Sequence, residues 1–455
     1  MLSIMEVNEE DIESYEGRGR YSVAIVECGE LGIPHAYLFG NAGFKVICAN
    51  SNPHMLKQLT KIRKRYLEGE RSEDVKREKS FAVTSSIREA VSTSEIIVIS
   101  TETVIDKKGR PNYSSLEKTC KEVGMGLNRG SLVLFVTQTG PGIIEDIMCS
   151  ILERTSGFET SKDFGLASSP AKVKFGKNFE VSDSVRVVGA IDSTSLKIAR
   201  LLLSKIQSEI VEVSNIRTVE ALGLFREAKN EANLAIANEF ALMCEKFKID
   251  FLEILKAAET SRIFSLPSPG LVADSIRRNY YLLLEESENA NLSPRLMLVA
   301  RKINDEIVDQ IFRLIKEALK ACGKTVRRAK VSVIGISQEP NCKVAPGALR
   351  RKLVNFLRKK VRTVQVYDPF FSKRELVELG FEADDLSRVV EGTDCVIVLV
   401  GHSRFERLNL KRVKLLAKKS PALVDVAHII DPVRARKYGF MYRGLGRGED
   451  GIQHE

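Results

Sequence analysis

The segment Tyr21–Asn50 reads YSVAIVECGELGIPHAYLFGNAGFKVICAN. Its first six residues are an apolar run of strand type, and a glycine-bearing turn follows at Glu27–Gly32. Apolar residues then recur at helical spacing, and FKVICAN closes the segment as a second apolar run. Strand, helix and strand in that order make a β-α-β unit. Working outward, Ser94–Ser100 (SEIIVIS), Gly130–Val136 (GSLVLFV) and Val185–Ala190 (VRVVGA) repeat the strand chemistry, with helix-compatible stretches between them. That alternation predicts a mostly parallel, doubly wound sheet, a Rossmann-like domain over residues 21–210.

From about Val211 the pattern changes to helices alone. Thr218–Phe247 keeps apolar residues at i, i+3 and i+4 with no glycine or proline after Gly223, which predicts one long helix. Helices of that length connect domains or build subunit interfaces. Helical stretches at 250–259 and 294–321 extend this into a helical middle domain over 211–323. Strand chemistry returns at Lys330 with KVSVIGIS, then a basic amphipathic helix at Ala348–Lys360, then TVQVYDP, CVIVLV and ALVDVA. The expected class is therefore α/β: two Rossmann-like parallel-sheet domains, the second over 324–455, joined by a long central helix and helical middle domain. Residues 1–20 form an acidic N-terminal extension.

Composition narrows the function classes. A chain of 455 residues, 44% hydrophobic and 29% charged, is too long for one core and too apolar for disorder. No apolar run reaches the roughly 18 residues that span a bilayer, and the N-terminal stretch is acidic where a signal peptide is basic, so the expected location is cytoplasmic and off the membrane. Cysteines at 28, 48, 120, 149, 244, 322, 342 and 395 include no CxxC pair and no metal spacing to histidine. They read as reduced core residues, with no metal expected. The net charge of +10 is uneven, because 27 basic and 15 acidic residues lie from Lys324 onward.

Several pieces carry a family likeness: GELGIPHAYLFGNAGFKVI, DKKGRPNYSSLEK, GPG at 140–142, SSPAKVKFG at 168–176, EANLAIANEFALMCEKFKID, LPSPG, ARKINDEI, VYDP, DCVIVLVGHSRF and YGFMYRGLGRG. In this order and spacing they resemble the UDP-glucose and UDP-N-acetylmannosamine 6-dehydrogenase family from Tyr21 to Arg447. The resemblance implies an NAD-binding domain, a long helix that builds a dimer, and a C-terminal domain that holds the nucleotide sugar. It also implies a two-step oxidation of the sugar C6 alcohol to a carboxylate through a cysteine thioester, with NAD as cofactor.

Position by position, the reactive groups of that resemblance are replaced. Its PGPGVGGHCIPVDP pattern aligns with Pro267–Tyr280, so the nucleophilic cysteine becomes Ser275 and the downstream aspartate becomes Asn279. Serine has no thiolate near neutral pH and cannot form a thioester. The lysine and asparagine of the central helix become Gly223 and Glu227, which removes a cation and adds an anion where an oxyanion needs support. The hydrolytic glutamate becomes Ala171 and a threonine becomes Gln138.

The cofactor positions implied by the resemblance are Gly29, Gly32, Asn50 and Thr103. The first glycine of G-x-G-x-x-G is Glu27 here, and Glu30 lies within the turn. Each carboxylate opposes a nearby phosphate by about 1 kcal/mol at contact distance in water, so NAD binding is expected to be weak or lost. Asn50 stands where an acidic residue accepts from ribose. The loop that supplies lysine and arginine to the sugar diphosphate becomes Glu339–Pro346, shorter and without the arginine.

Three functions follow as expectations: a dehydrogenase homologue that has lost its reaction and serves as a binding, regulatory or scaffold protein, pairing through its central helix with itself or a paralogue; a diverged NAD(P)-dependent nucleotide-sugar oxidoreductase; and a polyanion-binding protein using Arg350, Arg351, Lys352, Arg358, Lys359, Lys360, Arg362, Lys411, Arg412, Lys414, Lys418 and Lys419. The first is preferred. No aromatic interleaving accompanies the basic residues, so a solvated face is their simpler reading and a nucleic-acid partner is not favoured.

Overall fold

In the computed structural model, which describes residues 3–68, 81–106, 109–170, 173–174, 180–181 and 185–448, the apolar runs become strands. The chain divides into two compact units, Met1–Arg226 with Arg278–Leu292, and Glu227–Arg277 with Ser293–Glu455.

The first unit carries β1 (Ser22–Val26), β2 (Lys45–Ala49), β3 (Phe81–Thr84), β4 (Ile96–Ile99), β5 (Leu132–Phe135), β6 (Gly165–Ser168), β7 (Val185–Ala190) and β8 (Glu209–Glu212). They stand in the order β8-β7-β6-β5-β4-β1-β2-β3. All neighbours run parallel except β6 and β7, where Gly189 faces Ser168 in an antiparallel pair. Alternate side chains fill opposite cores: Val23 and Ile25 pack with Val46 and Cys48, while Ala24 and Val26 pack with Ile97 and Ile99. Two buried faces are what a parallel sheet under helices requires. Ile4, Val7 and Ile12 from the acidic lead join the Val23 core, and the Ile4 N–H donates to the Gly130 carbonyl at 3.0 Å. Strand order reverses between β1 and β4, so the turn between β1 and helix α1 (Gly32–Asn41) sits at the switch point where such sheets hold ligands.

The long helix α2 spans Ile216–Phe247. Helices α3 (Phe251–Thr260), α4 (Asp274–Asn289) and α5 (Arg295–Ala321) follow. In the second unit, β9 (Lys330–Ile334), β10 (Thr363–Tyr367), β11 (Cys395–Val398), β12 (Ala422–Asp425) and β13 (Met441–Gly444) form an all-parallel sheet ordered β10-β9-β11-β12-β13. Its core takes Ile307, Ile311, Leu314, Ile315 and Ala318 from α5, spaced three and four apart on one helical face, and Leu349, Leu353 and Leu357 from α6 (Ala348–Lys360). Among the described residues no helix is long and apolar enough to cross a membrane.

Candidate functional site

The turn after β1 keeps the room and the donors for a phosphate group but changes the charge. A Cβ on Gly32 would lie 2.6 Å from Ser100 Oγ and 3.0 Å from Ile25 Cγ2, so only glycine lets α1 approach β1 and β4 this closely. A Cβ on Gly29 would meet nothing closer than the Glu27 carbonyl at 3.7 Å, which leaves that face open. The backbone N–H groups of Glu30, Leu31 and Gly32 donate to no acceptor among the described residues, and Leu31 provides no side-chain cap. A helix N-terminus with unspent donors suits an anion.

The substitution at the first glycine leaves its mark on the backbone. Glu27 adopts φ +51°, the left-handed conformation that glycine reaches without a Cβ penalty. Its carboxylate accepts from Ser51 Oγ at 2.7 Å, and its carbonyl accepts from Ser100 Oγ at 3.2 Å. Desolvation, reinforced by the Glu102 carboxylate and opposed by Arg278, raises the pKa of Glu30. Asn50, buried, donates from Nδ2 to the Cys28 carbonyl at 3.2 Å and accepts at Oδ1 from the Asn52 N–H at 2.8 Å, so its amide braces the turn. Thr103 is buried and donates to the Gln138 carbonyl at 3.2 Å. Donors and space fit a dinucleotide's diphosphate, whereas the carboxylates of Glu27 and Glu30 do not.

A second cluster brings Gln138 and Gly223 together from positions far apart in the chain. Gln138 Nε2 donates to the carbonyls of Thr139 at 3.0 Å and Glu220 at 2.8 Å. This holds Oε1 where a Cβ on Gly223 would lie 1.8 Å from it. The Gln138 amide therefore fills the space into which any side chain at 223 would project. One helical turn earlier, Glu220 is a residue that sequence reasoning missed. Fully buried, it accepts from Thr139 Oγ1 at 2.8 Å, the Gly142 N–H at 2.6 Å and the Ile144 N–H at 3.2 Å. Burial pushes its pKa up to about 7 against the pull of those donors. Gly142, at φ +94°, makes the turn that aims its N–H at Glu220. A glutamate in the first turns of a long helix carries no signal of this role, because its partners lie 76 to 81 residues away.

Of the remaining positions, Asn279 falls in the first unit and Ser275 and Glu227 in the second. In the second unit, Gly270 is clamped by Asn238, which accepts from its N–H at 2.8 Å and donates to its carbonyl at 3.2 Å. Asn238 also donates to Asn304 Oδ1 at 3.0 Å, and His428 Nε2 bonds the Pro269 carbonyl at 3.0 Å. Burial lowers the pKa of His428 to about 4, so it is neutral and donates through Nε2. Ser275 falls in the first turn of α4, and its side chain lies outside the described residues. Asn279 is half-buried on the next turn, and Glu227 is fully buried on α2. Ala171 lies outside the described residues.

In the loop 339–346, Lys343 pairs with Glu375 at 2.5 Å, and the Asn341 N–H donates to His402 Nδ1 at 3.0 Å. His402 Nε2 lies 3.1 Å from Asp368 Oδ2, which also accepts from the N–H groups of Ile336 and Ser337. Much of the basic set is engaged locally. Arg350 donates to Gln338, Arg351 to the carbonyls of Pro346 and Leu379, Arg358 to Gly380 and Lys414 to Gly439, while Lys418 pairs with Asp394. Among the described residues no three His, Cys, Asp or Glu side chains gather as a metal site.

Comparison with known proteins gives three matches along the chain to the UDP-glucose/GDP-mannose dehydrogenase family: its NAD binding domain over residues 21–207, its central domain over 217–306 and its UDP binding domain over 332–432. The UDP-N-acetyl-D-mannosamine dehydrogenase of Pyrococcus horikoshii is 25% identical over 433 residues, 94% of this chain and 99% of its own. Protein CapL of Staphylococcus aureus is 28% identical over 415 residues, 90% of this chain and 96% of its own. Among solved structures, a UDP-glucose dehydrogenase from Pyrobaculum islandicum superposes with a TM-score of 0.80 at 17% identity, covering 94% of this chain and 98% of that one, a likeness of fold.

Proposed function

The chain belongs to the UDP-glucose/GDP-mannose dehydrogenase family, and from that premise we propose that it no longer runs a nucleotide-sugar 6-dehydrogenase reaction and acts as a binding, regulatory or scaffold protein. The observation that carries this reading is the filled space at Gly223. Where the family resemblance has a lysine, this chain has no side chain, and the Gln138 amide lies 1.8 Å from the position a Cβ would take. Ser275 replaces the thiol, Glu227 replaces an amide with a buried carboxyl group, and Ala171 replaces a carboxylate. Loss of nucleophile, cation and hydrolytic carboxylate together removes the covalent step and the stabilisation of its oxyanion.

The test is NADH formation from UDP-glucose, UDP-N-acetylmannosamine and UDP-N-acetylglucosamine, followed by absorbance. No turnover is expected with any of them, and turnover with one would overturn the reading. A diverged NAD(P)-linked oxidoreductase is the second reading, favoured by the open face of Gly29 and the three unspent N–H donors beside it. Under the first reading NAD stabilises the protein little; under the second it raises the melting temperature in a saturable way.

Pairing through α2 is part of the proposal. Ile236, Phe240, Met243 and Phe247 recur every three or four residues along the helix and are 40%, 39%, 48% and 67% exposed. An apolar stripe of that kind marks an interaction surface. The expected occupant is the same stripe of a second copy, or that of an active paralogue. Light scattering should give a dimer for the chain alone and a monomer for Phe240→Glu with Phe247→Glu. A monomeric wild type would leave only the paralogue, and a variant that stays dimeric would remove α2 from the interface.

A further inference from the structure

All five strands of the second sheet run the same way, so the segments that enter them lie together at one end, opposite the carboxyl ends where such sheets hold ligands. The register sets Val364, Val331, Cys395, Ala422 and Met441 side by side. At about 4.8 Å per strand that row is about 19 Å wide. The entering segments 322–330, 358–363, 391–394, 417–421 and 436–440 contain Glu391 and Asp394 as their only acidic residues. Basic residues that are far apart in the chain, and that the sequence shows only as separate solvated runs, meet along this row.

The central carboxylate is already spent. Asp394, buried, pairs at Oδ1 with Lys324 Nζ at 3.2 Å, and its Oδ2 accepts from Lys418 Nζ at 2.7 Å and from the Lys330 N–H at 2.9 Å. Around it, Arg327, Arg328, Lys359, Arg362, Lys419 and Lys437 are exposed, and their side chains have no hydrogen bond or ion pair among the described residues. Glu391 is the one exposed carboxylate of these segments, so six free cations face a single free anion. The cations share one field: desolvation lowers the pKa of Lys330, Glu391 opposes the shift, and Lys418 and Arg362 from two other segments add to it.

Free cations at that density match a polyphosphate, since about 19 Å of a DNA duplex carries about 11 phosphates. Single strands are held on successive aromatic platforms, and Tyr438 is the one exposed aromatic residue in the five segments. We propose that the amino end of the second sheet binds the phosphate backbone of double-stranded DNA without reading its sequence. Fluorescence anisotropy of a short labelled duplex of mixed sequence, titrated with the full chain from about 50 to about 200 mM salt, tests it. Binding should be saturable, and log affinity should fall against log salt with a slope of about −3 or steeper, because each neutralised phosphate contributes about −0.9. The separated strands and phosphatidylserine vesicles should bind more weakly at the same salt.

Arg362→Glu with Lys419→Glu should weaken duplex binding about tenfold or more and flatten the slope by about 2, with the melting temperature in place because both side chains are exposed. Arg404→Glu with Arg407→Glu removes the same charge from exposed positions beyond the carboxyl end of β11, and should weaken binding by no more than about threefold. Absence of saturable duplex binding, a slope shallower than about −3, equal losses from the two pairs, or tighter binding to single strands or vesicles would each overturn the proposal. None of these readouts depends on loss of the dehydrogenase reaction.

Discussion

Two parts of the first unit have departed from the family resemblance in opposite ways. At the turn after β1 the space is open and the donors are free, and only the charge has changed, through Glu27 and Glu30. Around Gly223 the space is closed, because the Gln138 amide is fixed there by two hydrogen bonds. A charge beside an open cradle weakens a ligand without forbidding it, whereas a side chain entering an occupied volume must displace the group already held there. The first departure is graded and the second is steric.

The contrast breaks most sharply at Gly32. Gly32→Val should destabilise by about 3 kcal/mol, since a Cβ already meets Ser100, Ile25 and Cys28 within 3.2 Å and none of these can retreat from the sheet core. Denaturant unfolding reads this, and a loss within error of zero would mean that the α1 contact is not tight. Gly223→Ala should cost about 1–3 kcal/mol, and Gln138→Ala in the same chain should return most of it. Purely additive losses would show that the two positions do not share one space.

A pH experiment tests the carboxyl group beneath that pair. The folded state holds a proton on Glu220 up to about pH 7, whereas an ordinary glutamate loses it near 4.5. The stability it contributes is therefore complete below the ordinary value and declines as pH rises through that window, with a slope of up to about 1.4 kcal/mol per pH unit. His428, lowered to about 4 by burial, tilts stability the other way over part of the same range, so the informative quantity is the difference between wild type and variant. Glu220→Gln should remove the falling component and should lower stability below the window, because an amide cannot accept from all three donors. Parallel pH profiles would mean that Glu220 is ionised throughout. Gly29→Ala, with nothing nearer than 3.7 Å, should change stability by less than about 0.5 kcal/mol and so marks the open end of the comparison.

The strong strands and the long helix were legible because burial on both faces of a parallel sheet and the helical period leave plain patterns. SEIIVIS contains β4, GSLVLFV contains β5, and the helix expected at Thr218–Phe247 forms at Ile216–Phe247. Gly165–Ser168 and Glu209–Glu212 were not legible. GLAS has little strand propensity and is a strand because β5 and β7 flank it, while EIVE is mostly exposed at the sheet edge. Ile4, Val7 and Ile12 were hidden by the acidic residues around them. In the site, fixed landmarks identified Gln138 and Gly223 separately, but their contact joins residues 85 apart in number and no local spacing announces it. His402 shows the same limit: it ends a strand-like run in the sequence, and in the structure it ties the loop after β9 to Asp368.

The contact at Gly223 also sets an order of events for anyone editing this chain. A lysine introduced there must first displace the Gln138 amide and break its two hydrogen bonds, so the lone change carries that cost. Shortening residue 138 beforehand opens the door and makes the same lysine tolerable. The less costly order of edits therefore begins at the glutamine side.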